Sequence, residues 1–167
     1  QKEQVLRITR IVDNILDVSR ISEGRLLLNY EEFNLNEMIS EILDFFKLAA
    51  ESNEIEVKFD PSKVIEGRWD RFRLEQVLLN LLINAVRYGN KKPVHVEVIE
   101  HGDEVHMVVR DEGMGIREDL QARVLKRFEG VISENDSGGI GLGLYISNSI
   151  AIAHGGEIKL KSELGKG

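Results

Sequence analysis

The sequence predicts an α/β chain: a two-layer sandwich in which a mixed sheet carries helices on one face, preceded by one long amphipathic helix. Three observations carry this. Apolar residues recur at three- and four-residue steps in several stretches, they alternate strictly in several others, and the two kinds of stretch intermix without the strand-helix-strand rhythm of an all-parallel sheet.

Composition bounds the function. The 167 residues include 22 Lys and Arg against 29 Asp and Glu, a formal charge of −7, with 42% hydrophobic residues and no Cys. A chain of this length can bury a core without staples. Disulfides, Cys-ligated zinc and thiol nucleophiles are excluded, nothing marks a secreted compartment, and the expected location is cytoplasmic. The acidic balance argues against a broad grip on nucleic acid, which needs many cations against phosphates, yet it leaves a local phosphate site open. No apolar run approaches the roughly 18 residues of a membrane span, and Gln1 to Arg10 lacks the pattern of a signal peptide, so no membrane contact is expected.

From Gln4 to about Glu23, Val5, Ile8, Val12 and Ile15 mark an apolar helical stripe that needs a partner helix, in this chain or a second copy. Gly24 ends it, and Arg25 to Phe33 reads as an extended connector. A second helix spans Glu37 to about Glu51, with Asn34 as cap, Glu37 as box partner, and Met38, Ile39, Ile42, Phe45, Phe46 and Ala49 on one face. Glu54 to Phe59 alternates as a strand, Asp60-Pro61-Ser62 turns, and Val64 to Trp69 offers a short second strand. Asp70 caps a long helix to Tyr88, with Phe72, Val77, Leu78, Leu81, Leu82 and Ala85 inward. Two strands around Val94 to Val98 and Val105 to Val109 flank a tight turn at Gly102-Asp103. A short helix from about Glu118 to Lys126 leads into a polar stretch, Glu129 to Gly138. Leu142 to His154 is helical, Gly155-Gly156 stops it, and Glu157 to Ser162 alternates as a last strand.

Three segments carry chemistry. Asn80, Asn84, Arg87 and Tyr88 share one helical face, displaying two carboxamides, a guanidinium and a phenol. A carboxamide oxygen suits Mg²⁺, which takes its other oxygens from water and phosphate; a solvated face fits the same spacing. Asp111-Glu112-Gly113-Met114-Gly115-Ile116 places a carboxylate at a strand end before two glycines, fit either for the exocyclic amine of adenine or for a capped turn. Gly138 to Leu144 runs glycine-rich into a helix start, where free N–H groups favour an anion; it is neither a Walker loop nor a dinucleotide fingerprint. The four His, His95, His101, His106 and His154, show no metal-ligand spacing.

Taken in order, Asn80-x-x-x-Asn84-x-x-Arg87-Tyr88, Asp111-x-Gly113-x-Gly115-Ile116, Gly139-x-Gly141-Leu142-Gly143-Leu144 and His154-Gly155-Gly156 resemble the nucleotide-binding boxes of the sensor histidine kinases. Residues 70 to 162 resemble their catalytic ATP-binding domain, a Bergerat-type fold shared with gyrase-type topoisomerases, ninety-kilodalton heat-shock chaperones and mismatch-repair ATPases. Residues 1–24, including Asp17-Val18-Ser19-Arg20-Ile21, are similar to the second helix of the dimerisation and phosphotransfer hairpin. That division leaves 25–33 as connector and 34–167 as a catalytic domain lacking its last strand.

The resemblance implies ATP and Mg²⁺ as ligands. Asn84 would hold the metal with Asn80 beside it, both serving catalysis, and Arg87, where Lys is commoner, and Tyr88 would touch phosphates. Asp111 would hold the adenine amine, with Gly113, Gly115 and Ile116 forming the pocket. Gly139, Ile140, Gly141, Leu142 and Gly143 would cradle the triphosphate, and Arg127 to Gly138 would be a lid, Arg127 reaching the nucleotide. The implied partners are the nucleotide, a response-regulator receiver domain, and a second copy through the 1–24 helix. In the gyrase and chaperone relatives a water-activating Glu stands four residues before the metal-binding Asn; here it is Asn80, which has no useful basicity and disfavours ATP hydrolysis.

The acceptor motif of a His followed by an acid and shortly by a Pro is absent, and Gly89 replaces the usual Thr or Ser. Two rival readings are a degenerate kinase acting as a nucleotide-independent scaffold, and a serine-type kinase of the anti-sigma kind, which would lack the long first helix.

Overall fold

The computed structural model describes residues 13–52, 55–126 and 141–167. The first helix, α1, is described over 13–22. There follow β1 (Glu31–Asn34), α2 (Leu35–Ser52), β2 (Val57–Lys58), β3 (Glu66–Trp69), α3 (Arg71–Tyr88), β4 (Val94–His101), β5 (Glu104–Arg110), α4 (Glu118–Gln121) and α5 (Gly143–Ala153).

The mixed sheet has the order β2-β4-β5, with β2 parallel and β5 antiparallel to β4. The β4–β5 turn is the expected one: His101 pairs with Glu104 across Gly102-Asp103, and Gly102 takes the positive φ of +63° that a tight hairpin needs. A separate two-stranded sheet pairs β1 with β3, Glu31 opposite Trp69. The end of the expected connector is therefore a strand, fastened by Phe33 packing edge-on against Trp69 at 5.6 Å. Asn34 caps α2, as expected. Its Oδ1 accepts from Asn36 N and also from Ile65 N, so one carboxamide joins the helix start to the residue before β3.

Residues 157–162 alternate in burial as the sequence predicts but form no ladder, so this expected strand is not one. Side chains hold the segment instead: Ile158 N donates to Asn148 Oδ1, and Ser162 O accepts from Gln121 Nε2.

Helix α3 organises the core because it is buried on two sides. One side, with Leu78, Leu82 and Ala85, packs against α2 (Met38, Ile39, Leu43) and one face of the sheet (Val94, Val96). The other side, with Val77, joins Val18 of α1 and Leu142, Ile146 and Ile150 of α5 in a second cluster. That arc differs from the expected one at its start: Phe72 is 69% exposed and Arg73 is buried. The next position along the helix, ~100° on, is Arg73, which points toward Asp17 of α1. In α2, Phe45 likewise falls at the margin of the stripe and is 79% exposed, while Leu43 takes the place inside.

A buried Arg needs a partner. Arg73 Nη1 donates to Asp17 Oδ1 at 2.9 Å and to Gln76 Oε1 at 2.8 Å, and Gln76 Nε2 returns to Asp17 Oδ2 at 2.7 Å. This closed triangle fastens α1 to α3, alongside the apolar contact of Val18. At the helix start, Arg71 bonds Glu75 at 3.0 Å and also Glu41 of α2, and these carboxylates, Glu75 foremost, raise its pKa above the ordinary arginine value.

Removing one partner of a buried pair leaves an uncompensated charge. Arg73→Ala is expected to lower stability by about 3 kcal/mol. The double variant with Asp17→Ala should lose less than the sum of the two single variants in urea denaturation, because the second change removes the stranded carboxylate.

Candidate functional site

Asp70 starts α3 as the sequence predicts. Its Oδ1 accepts from Arg73 N at 3.0 Å, and its Oδ2 accepts from Asn29 N in the connector at 2.7 Å. Asp70 N in turn donates to His154 Nε2 at 3.0 Å, while His154 Nδ1 meets Ile150 O at 2.8 Å. An imidazole accepting at Nε2 carries its proton on Nδ1, so His154 is in the neutral Nδ1–H form. It thereby pins the C-terminal end of α5 to the N-terminal end of α3, with Tyr30 edge-on at 5.7 Å.

The N-terminal end of α5 meets the middle of α3 at Asn80. Its Nδ2 donates to Gly143 O at 3.3 Å and to the fully buried Ser147 Oγ at 3.2 Å. Gly143 O can only accept, which settles which end of the carboxamide faces it. The helices are therefore antiparallel. Asn84 is half-buried one turn beyond Asn80 on the same face. Before α5 comes the segment that ends in Leu142.

That segment is described from Gly141, which has φ +69°. Leu142, the N-cap residue, is buried in the second cluster and makes no side-chain cap bond, so the first N–H groups of α5 have no side-chain acceptor from it. Gly139 and Ile140, and the expected lid Arg127 to Gly138 with Arg127 itself, lie outside the described residues.

The third segment docks on the end of α3. Met114 N donates to Tyr88 O at 3.1 Å, and a Cβ on Gly113 would sit 1.9 Å from that same oxygen. Gly113 is thus required by the packing of the loop on the helix end. A Cβ on Gly115, whose φ is +67°, would sit 2.1 Å from Glu163 O, so the second glycine admits the 162–167 segment. Asp111 turns its own loop, its Oδ1 accepting from Gly113 N at 2.9 Å. Ile116 is half-buried behind it. Arg87 is exposed, its guanidinium 6.0 Å from the Tyr88 ring.

The structure therefore carries Asn80, Asn84 and Tyr88 on the C-terminal half of α3, docks the loop of Asp111 and Gly113 on the helix end at Tyr88, and sets Gly143 against Asn80 with Leu142 packed in the cluster of Val77 and Gly141 just before it. Sequence reading missed Ser147, the acceptor for Asn80, and Gln121 and Ser162, which hold the Asp111 loop. A polar residue on an apolar helix, as Ser147 is between Ile146 and Ile150, was the available signal. Among the described residues no group of three or more His, Cys, Asp or Glu is arranged to hold a metal by itself. A cation bound at Asn84 would thus rely on oxygens of a ligand.

At position 80 the surroundings demand a donor. Asn80→Asp, nearly isosteric, would set a carboxylate against Gly143 O. A loss of stability of about 1–3 kcal/mol is expected, read as a lowered unfolding midpoint, with Asn80→Gln losing less than Asn80→Asp.

Residues 69–167 match the model of a family described as "Histidine kinase-, DNA gyrase B-, and HSP90-like ATPase". Over 166 residues, 96% of this chain, the sequence is 32% identical to the circadian input-output histidine kinase CikA of Synechococcus elongatus, of which it covers 22%. Over 165 residues, also 96% of the chain, it is 35% identical to the sensor histidine kinase ZraS of Salmonella typhimurium, of which it covers 34%. The chain thus spans about a third or less of these relatives. The crystal structure of full-length ShkA in complex with AMPPNP superposes with a TM-score of 0.81 at 25% identity, covering 95% of this chain and 34% of that one.

Proposed function

The chain belongs to the histidine kinase-, DNA gyrase B- and HSP90-like ATPase family, and on that premise we propose how its site holds ATP and what it does in a longer parent protein. The fold and relatives are those of the ATP-binding catalytic domain of sensor histidine kinases. The observation that carries the assignment of residues is the docking of both the Asp111 loop and the start of α5 on the C-terminal half of α3.

Asp111 uses Oδ1 to shape its loop and accepts the adenine amine on Oδ2. Gly113, Gly115 and Ile116 wall the base. The N–H groups of Gly141, Leu142 and Gly143, at a helix start with no side-chain cap, receive phosphate oxygens, where the helix dipole favours an anion. Arg87 and Tyr88 contact the phosphates from the end of α3. Asn84 fits Mg²⁺ through a neutral, hard carboxamide oxygen. When bound, Mg²⁺ neutralises charge on the triphosphate. The protein's share of catalysis is positioning and charge stabilisation as the γ-phosphoryl group leaves ADP for a His nitrogen elsewhere in the parent protein. A receiver-domain Asp is the next acceptor.

Asn80 supports phosphotransfer over hydrolysis. Its amide group is committed to Gly143 and Ser147 and offers no base for water. Pairing with a second copy through the 1–24 helix is supported by α1, where Val18 faces inward while Ile15 and Leu16 are 54% and 51% exposed. Among the described residues no helix is long and apolar enough to cross a membrane, and we place the domain on the cytoplasmic side.

Titration calorimetry with and without Mg²⁺ tests the site. Asp111→Asn is expected to weaken ATP binding by about tenfold or more, and Asn84→Ala to abolish the gain from Mg²⁺. Unchanged affinity in both would refute the assignment. With γ-labelled ATP, the 167-residue chain should acquire no acid-labile phosphate and turn ATP over slowly.

A further inference from the structure

The loop proposed to hold adenine, residues 111–116, contains no helix or strand, and its geometry is set from outside. Its inner side rests on the end of α3 through Met114 N and Tyr88 O. Its outer side is fastened by two side chains that the nucleotide does not need to touch. Ser162 Oγ accepts from Ile116 N at 2.8 Å, and Gln121 Nε2 donates to Ile116 O at 2.9 Å. Both backbone groups of one residue are thus satisfied by side chains, one 46 positions away and one 5 away.

These two side chains also hold each other's element. Gln121 Nε2 gives its second bond to Ser162 O at 2.9 Å, so one carboxamide bridges the loop and the 162–167 segment. The Ser162 hydroxyl donates to Gly167 O at 2.8 Å, which turns its lone pairs toward Ile116. Gly165 N donates to Met114 O at 2.7 Å, and the absence of a Cβ on Gly115 lets Glu163 O come within 2.1 Å of where one would stand.

We propose that Ser162 and Gln121 are positioning residues for nucleotide recognition, setting the Asp111 loop at the depth and angle at which it receives the adenine ring. The inference rests on the reading of Asp111 as the adenine acceptor. A loop that lacks a ladder keeps its shape only if its backbone groups find fixed partners. Loosening Ile116 releases the wall of the base pocket and the loop that carries the Asp111 carboxylate, while the phosphate end, held by α5 and Asn80, stays in place. The loss therefore belongs to the adenine half of the ligand and is the same for di- and triphosphates.

Calorimetry of the 167-residue chain with ADP and with AMPPNP, both with Mg²⁺, tests this alongside the unfolding midpoint without ligand. Ser162→Ala is expected to weaken both nucleotides by the same factor, about five- to tenfold, and Ser162→Thr, which keeps the hydroxyl, to restore most of the affinity. Gln121→Met, which keeps length and removes the two donors, should weaken both nucleotides alike and serves if Ser162→Ala does not fold. Unchanged affinity in the alanine and methionine variants overturns the proposal, as does a threonine variant no better than alanine, or a loss for AMPPNP that ADP does not share. If Asp111→Asn binds as tightly as the unaltered chain, the reading of the adenine acceptor itself has failed; if Asp111→Asn is weak and Ser162→Ala is not, only the present inference has.

Discussion

The site depends on a single constraint: both glycine segments must touch the C-terminal half of α3. Tyr88 O receives the Asp111 loop, and Asn80, two turns earlier, receives the start of α5. The distance between these two docking points is set by the helix rise alone. The helix that spaces them is held by cores on two sides. The glycines follow from this arrangement. Gly113 has no Cβ because Tyr88 O occupies the space, and Gly115 none because Glu163 O does. Both glycines thus let the loop seat against protein.

Much of this was legible in the sequence, for identifiable reasons. The Asp70 cap, the extent of α3, the Gly102-Asp103 hairpin and the stop at Gly155 are local, and local chemistry decides them. The candidate residues stood out in the sequence because three dissimilar segments each had an uncommon spacing. What was hidden is long-range. Phe72 and Arg73 cannot be ranked by hydrophobicity, because the position that faces inward is decided by Asp17, 56 residues earlier. Residues 157–162 alternate correctly, yet alternation reports which side is covered and not whether a neighbouring strand completes a ladder. Ser162 and Gln121 carry no motif of their own; only proximity to Ile116 gives them meaning.

Asn80 is an architectural tie to which the proposed function adds a bearing on the class of reaction. A hydrolase of this superfamily keeps a carboxylate there to activate water, as the family resemblance implies. In this chain the same position faces a carbonyl, Gly143 O, and a buried hydroxyl, Ser147 Oγ, so the local hydrogen-bond balance favours a donor. The amide thus removes a base and adds a tie between α3 and α5. The two effects cannot be separated by a single substitution, which is why a change toward the hydrolase residue is a change in stability as well as in chemistry.

The other end of α3 gathers a different set of partners. Asp70 joins the helix start to the connector at Asn29 and, through its backbone, to His154 at the end of α5. One turn on, Arg73 and Gln76 take Asp17 of α1. The residues proposed to hold the nucleotide therefore occupy the C-terminal half of α3, and the contacts to the preceding helix and connector occupy the N-terminal half. Because α5 runs antiparallel and is pinned at both ends, by His154 and by Asn80, it cannot slide along α3 without breaking one tie or the other. The contacts of α1 and the connector at Asp70 and Arg73 and the start of α5 thus lie along the same packed pair, α3 and α5.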